Sequence, residues 1–529
     1  MLQFLKVFEC VEMKTCKKRQ KHLLTTALIE SLQFVNCKKM RFGVKYVYYF
    51  ISSEKRLLIY RRTETLTMQL YSKNHQSDHD EEIEREFQSM LDDARSAYVI
   101  PKEAFENYRV KRGLREPDGS GVTAGVTRVG NAHGYIMNEG EKCAVEGKLE
   151  YRGYEISTLV NSFVKEGRFG FEECAFLLFF GHLPTKSELD EFNDILAAYR
   201  RLPPRFTEDI IMKAPSQSIM NKMASAVLSL YAYDDNPDDT GLENMLHQSM
   251  ELLSRLPVIA AQSYAVYQNA FHDKSLNIHN PKDELSTAEN FLRVLRPDKS
   301  YTEDEARLLD LCLVVHAEHG GGNCSTFTCR VLSSSGSDTY SAISAAIGAL
   351  KGPRHGGANI KVQEMFDCIK ANVKDTHNED EVASFLLKIL NGEANDGSGL
   401  IYGMGHAIYT KSDPRAVMLK TYAKKLAYEK GFGDDFELLE KIETITPTLF
   451  KAYKGVDKDM CANVDLYSGL VYRMLGIPEE MYTPLFAIAR VAGWCAHRME
   501  EYCTSNRIIR PGYKCIAKPR NYVSMDERC

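Results

Sequence analysis

The chain has no apolar run approaching the roughly 20 residues that a membrane-spanning helix needs. Its richest stretch, near Tyr46–Ile51, is short and flanked by lysines, so no membrane partner is expected. A disulfide framework is also missing. The 14 cysteines are scattered, with no dense cluster and no repeated C-x-x-C pair. In a long chain that usage fits a reducing, cytoplasmic setting. Strong net charge is absent too. The balance of -5 argues against a general nucleic-acid binder, which would be basic. It leaves room for anionic small substrates, because a local arginine cluster can sit inside an acidic protein. Strands do not alternate with helices, and no segment repeats, which removes α/β and solenoid architectures.

What is present is ordinary globular material, 44% hydrophobic and 26% charged over 529 residues. That length predicts two or three domains. Residues 1–67 stand apart, with 14 Lys/Arg against 5 Asp/Glu, a balance of +9 that leaves -14 for the remainder. This segment has neither the apolar core and cleavage site of a secretory signal nor the acid-poor composition of an organelle-targeting peptide. It is expected to be an extension without a catalytic role, with Met68 as the natural start.

From about residue 80 the pattern is regular. Spaced apolar positions predict a helix over 81–96. The glycine-rich stretch Gly113–Gly153 predicts short hairpins and turns. Helices dominate beyond it. Thr185-x-x-Glu188 and Thr302-x-x-Glu305 are capping boxes, each opening a helix, the second running to His316. Ser341–Leu350 is a small-residue helix ended by Gly352-Pro353. Asp413-Pro414 supplies a cap and a first-turn proline for a helix over Arg415–Lys430. The expected class is all-α, with minor β-hairpins near the start.

Four polar clusters lie in the last part of the chain: His316-Ala-Glu-His319-Gly-Gly-Gly-Asn323, Lys351-Gly-Pro-Arg354-His355-Gly-Gly-Ala-Asn359, Gly403-Met-Gly-His406 with Asp413-Pro-Arg415, and Asn463-Val-Asp465-Leu-Tyr467-Ser468-Gly469 with Arg490 and Arg510. Each alone reads as a turn carrying a hydrogen-bonded structural side chain. Together, glycine-flanked histidines, an aspartate and several arginines suit acid–base work on anionic substrates. A zinc-dependent hydrolase built on His316, His319, Cys324 and Cys329 is the rival of another class. Their spacing matches no familiar zinc pattern, so no metal is expected. Gly403-x-Gly lacks the strand and the Gly-Lys-Ser/Thr of a phosphate loop.

These runs, in this order, resemble citrate synthases, bacterial forms more closely than animal mitochondrial ones. Gly147-Lys-Leu-Glu-Tyr-Arg-Gly-Tyr154, Ala489-Arg490-Val-Ala-Gly-Trp494 and Arg507-Ile-Ile-Arg510-Pro511 add to the likeness, which spans roughly 95–520. The resemblance implies condensation of acetyl-CoA with oxaloacetate to citrate and CoA, acetyl-CoA being a substrate and no cofactor being needed. It implies Asp465 as base, His355 as hydrogen-bond donor to the enolate and His406 as polariser of the keto group. His319, Arg415, Arg490 and Arg510 would bind oxaloacetate, Arg510 from the neighbouring subunit of a homodimer. A large helical domain, 95–357 with 472–520, would carry an inserted small domain, 358–471, that closes over the substrates. His355 also precedes a helix starting near Asn359 or Ile360, whose positive end disfavours a charged imidazole. Thr410 stands where animal forms place a basic residue for CoA, so Lys351, Arg354 and Lys411 are the nearby CoA candidates. The nearest relative in activity, 2-methylcitrate synthase, uses propionyl-CoA, and one methylene is worth only about 1–3 kcal/mol of discrimination. A non-catalytic relative would have no reason to keep His355, His406 and Asp465 together.

Overall fold

The computed structural model describes residues 88–528, apart from 89, 92–93, 96, 117–119, 139–140, 456–458 and 505–506. The 1–67 extension and the Met68 start lie outside the described residues, as does much of the helix expected over 81–96. Two compact units are present, Met1–Tyr108 and Arg109–Cys529. In the first, helix α1 (Lys102–Asn107) buries no side chain.

The second unit opens with an antiparallel sheet ordered β1 (Gly130–Asn138), β2 (Glu141–Tyr151), β3 (Tyr154–Glu155). This is the hairpin region expected from the glycines. Its register shifts between His133 and Tyr135. At Gly134 a Cβ would lie 2.6 Å from the carbonyl oxygen of Ile408, and at Gly147 it would lie 2.1 Å from that of Ser412. Only glycine lets the 408–412 loop lie flat on the sheet.

Helices follow, as the all-α expectation requires: α2 (Ile156–Glu166), α3 (Phe171–Phe180), α4 (Lys186–Tyr199), α5 (Ile219–Leu230), α6 (Leu242–His272), α7 (Thr287–Leu295), α8 (Glu303–His316), α9 (Cys324–Ser334), α10 (Thr339–Leu350), α11 (Ala358–Asn372), α12 (Glu379–Leu390), α13 (Pro414–Glu429), α14 (Gly433–Lys454), α15 (Val464–Met474) and α16 (Tyr482–Thr504). Both expected capping boxes close, at the starts of α4 and α8, and a third, Ser286–Glu289, opens α7. Asp413 caps α13 by accepting from the Arg415 N–H, with Pro414 in the first turn. Helix α10 begins two residues ahead of Ser341, because Asp338 is its cap.

Helix α16 is the axis of the unit. Every residue from Tyr482 to Met499 is buried, the mark of a helix packed on all sides. Helices α3, α6, α8, α9 and α10 surround it. Its buried Arg490, His497 and Arg498 must find polar partners in that core, and the first two find them at the site described next. Helices α11 to α15 pack mainly on one another, α11 and α13 on α15 and α12 and α13 on α14.

Candidate active site

Of three glycine-rich breaks, those at His319 and His355 meet the N-terminal half of α16, and the one at His406 meets the His319 break. In the first, α8 ends at His316 and the chain turns through Gly320, whose φ is +80°. His316 and His319 are both buried, and the Nε2 of each has no protein partner. His316 donates from Nδ1 to the Cys312 carbonyl at 2.7 Å. Burial first, then the Arg415 charge, lowers His316 to a pKa of about 3 and holds His319 well below the imidazole range. Both rings are neutral at physiological pH.

The second break carries His406. Gly403 and Gly405 have φ of +82° and +84°. The loop is pinned by Gly405 N–H donating to the Cys461 carbonyl at 2.7 Å and Asn463 N–H donating to that of Gly403 at 2.9 Å. The same turn that positions His406 thus also delivers Asp465. His406 Nδ1 accepts from the N–H groups of Ile408 and Tyr409, at 3.1 and 3.2 Å. That assigns its proton to Nε2, which is left as a donor. Its ring lies 5.1 Å from His319 and 4.7 Å from Tyr409, centroid to centroid. Burial, with Arg415 beside it, brings His406 down to about 4.

The third break carries His355. Its Nε2 accepts from the Ser325 N–H at 3.3 Å and lies 2.9 Å from the Ser325 hydroxyl. Trp494 donates to that hydroxyl at 3.2 Å, so the hydroxyl's own proton can turn to Nε2. The ring proton therefore sits on Nδ1. Burial and Arg490 bring His355 down to about 4. The expected neutral ring is found. The amide donor that favours it comes from the start of α9, not from α11 as its sequence neighbours suggested, although α11 does begin at Ala358, just after His355.

Asp465 occupies the first turn of α15, and its Oδ1 has no partner in the protein. Burial raises it to about 7, against the opposing charges of Arg415 and Arg490. Arg490 donates from Nε to the His316 carbonyl at 2.6 Å, while its Nη2 is buried and unpartnered. Burial lowers it to about 10, still cationic. Arg415 is held differently. Asp413 accepts from its Nε at 3.0 Å and its Nη2 at 2.7 Å. The cluster thus offers two neutral histidine N–H donors, one carboxylate poised near neutrality and two buried cations.

Arg510 does not join this cluster. It lies exposed on the extended segment after α16, and Lys351, Arg354 and Lys411 are exposed as well. His316, His319, Cys324 and Cys329 do not converge, and among the described residues no three His, Cys, Asp or Glu side chains are grouped to hold a metal. A cavity of about 440 Å³, lined by Val160, Arg168, Asp310 and Tyr422 among others, shares no residue with the histidine cluster.

The family model for the C-terminal domain of citrate synthase matches residues 120–512. The chain belongs to the citrate synthase family. It is 33% identical to citrate synthase of Synechocystis over 80% of this chain and 95% of the relative, and 34% identical to that of Haloferax volcanii over 72% and 93%. Among solved structures it resembles citrate synthase from Thermotoga maritima, with a TM-score of 0.61, 30% identity and coverage of 79% of this chain and 99% of the other. It also resembles Thermoplasma acidophilum citrate synthase in ternary complex with carboxymethyl coenzyme A and oxaloacetate, with a TM-score of 0.64, 28% identity and the same coverage. As a citrate synthase, the protein is a transferase that condenses acetyl-CoA with oxaloacetate.

Sequence reasoning passed over Glu318, Ser325, Tyr409, Asp413 as the partner of Arg415, and His497. Asp413 was legible, since an aspartate two residues before an arginine on a helix cap invites a local pair. Tyr409 also lies within three residues of its partner His406, whereas Glu318, Ser325 and His497 act across separations that spacing does not reveal.

Proposed function

We propose that the three breaks divide the condensation between them. His406 donates from Nε2 to the keto oxygen of oxaloacetate and makes that carbon more electrophilic. Arg490, with its unpartnered Nη2, and His319 hold the substrate's carboxylates. Arg415 assists through the nitrogen outside its Asp413 pair, and guanidinium groups suit carboxylates because two N–H bonds can run in parallel. Asp465 takes a proton from the acetyl methyl. His355 donates from Nδ1 to the thioester oxygen as the enolate forms. A neutral donor serves here because it stabilises developing charge without offering a proton to the base. The enolate carbon bonds to the keto carbon, and water then cleaves the thioester to release citrate and CoA.

The observation carrying this reading is the pair of tautomers. His355 and His406 each accept backbone N–H on one nitrogen and so turn a fixed N–H donor outward. The further reading is a cytoplasmic homodimer acting at the entry of the tricarboxylic acid cycle. The described cysteines are free, which suits a reducing compartment. The exposed tail, with Tyr513 96% and Tyr522 84% accessible, suits a partner that would cover it and receive Arg510. Helices α11 to α15, packed mainly on one another, would be the domain over 358–471 that closes and excludes water. Lys351, Arg354 and Lys411 would meet the phosphates of CoA.

The test is release of free CoA thiol from acetyl-CoA or propionyl-CoA, with and without oxaloacetate, beside Asp465→Asn. Oxaloacetate-dependent release with acetyl-CoA, lost in the variant, supports the reading. A preference for propionyl-CoA transfers it to 2-methylcitrate synthesis. Release without oxaloacetate overturns it.

A further inference from the structure

One face of α16 binds three consecutive residues of the chain just before His319. Arg490 Nε donates to the His316 carbonyl at 2.6 Å, Gly493 N–H to the Ala317 carbonyl at 3.2 Å, and His497 lies 2.9 Å from the Glu318 carboxylate. Positions 490, 493 and 497 share a face by helical periodicity. Glu318 is the unusual member, a fully buried carboxylate. Two glycines make its slot. A Cβ at Gly130 would lie 2.6 Å from its Cγ, and one at Gly493 would lie 2.4 Å from its Oε2. Its backbone N–H donates to the Tyr151 hydroxyl at 3.2 Å, and its carboxylate accepts from the Gly320 N–H.

The ring of His497 completes the slot. Its Nδ1 faces Arg330, whose Nε donates to it at 3.2 Å. It can only accept there, so its proton is on Nε2 and is donated to Glu318. Arg330 is itself held by Glu500 and Glu501. Burial works against a charge on Glu318. His497, Arg490 and the Gly320 N–H override it and hold the group below the carboxylate range. The anion in turn is the strongest influence opposing the loss of charge that burial imposes on Arg490.

From this geometry we infer that Glu318, unassigned in the mechanism above, is the positioning residue of the oxaloacetate site. It locks the register of the His316–His319 turn on α16, and its anion offsets the burial of Arg490 while leaving Nη2 unpaired. A carboxylate bound directly to that nitrogen would compete with the substrate. One that leaves that nitrogen unpaired does not. The inference rests on oxaloacetate binding at Arg490 and His319.

The experiment is steady-state kinetics on Glu318→Gln, with wild type in parallel and oxaloacetate and acetyl-CoA varied separately. The expected result is KM for oxaloacetate raised tenfold or more, with kcat and KM for acetyl-CoA within about threefold of wild type. Glu318→Asp, which keeps the charge, should recover part of the loss. An unchanged KM for oxaloacetate overturns the inference, as does an equal loss on both substrates. If Glu318→Gln fails to fold, His497→Gln carries the test, with a rise of two- to fivefold expected and no change counting against the inference. Wild type that shows no dependence on oxaloacetate would sink the underlying reading instead, so the two failures are distinguishable.

Discussion

The two histidine walls of the site are built by opposite means. His319 stands on a turn stitched to α16, which is buried from Tyr482 to Met499, with Arg490, Gly493 and His497 binding the residues before it in order. His406 stands on a loop shaped by left-handed glycines, packed on Leu466 of α15 and tied by backbone hydrogen bonds to residues 461–463. The first wall is ordered by side chains in a dry core, where each polar group has a strong reason to stay paired. The second is ordered by backbone geometry and is tied to the residues just ahead of Asp465.

Substitutions can break that contrast, the largest effect first. Asp465→Asn removes the proposed base from the second wall and should lower kcat by roughly 10³-fold, the scale of a lost general base. It should leave oxaloacetate affinity nearly intact, which a binding titration would check. The variant should also melt higher at pH 8. A buried carboxyl at about 7 holds a proton that the unfolded chain has lost, so its stability contribution falls as pH rises from the ordinary carboxylate value through 7. Asparagine escapes that loss, worth up to about 4 kcal/mol, and the difference from wild type should vanish below pH 4. The same proton makes wild-type kcat/KM fall as pH drops through about 7.

Arg490→Leu attacks the other wall. It leaves Glu318 buried without a neighbouring cation and removes the proposed oxaloacetate ligand, so affinity for oxaloacetate should fall by about 2–4 kcal/mol, visible in KM far more than in kcat. Gly403→Ala tests the backbone argument. A Cβ there would lie 2.9 Å from Leu466 at a φ of +82°, and the strain should cost about 1–3 kcal/mol of stability. Here kcat should fall more than KM for oxaloacetate rises, because His406 and Asp465 shift together. Lys411→Ala is the mildest. An exposed cation contributes about 0.2–1 kcal/mol, so KM for acetyl-CoA should rise less than fivefold with kcat unchanged.

Much of this was legible along the chain. Capping boxes at Thr185 and Thr302, the Asp413-Pro414 start, and the glycine hairpins follow from interactions within a few residues, and spacing reports such interactions directly. Glycine-flanked histidines and the order of the motifs carried the resemblance to citrate synthases. What spacing could not report is contact between distant elements. Nothing near Glu318 announces that His497, 179 positions away, will donate to it, or that Gly130 and Gly493 leave the room for its side chain. The neutral state of His355 was anticipated, but the donor that sets its tautomer is Ser325, brought in from α9. By itself the sequence determined where helices begin and which residue types are available for acid–base chemistry, because both depend on near neighbours. Tertiary structure alone decided which nitrogen of each histidine carries the proton and how far burial moves each charge, because those depend on what the fold packs against them.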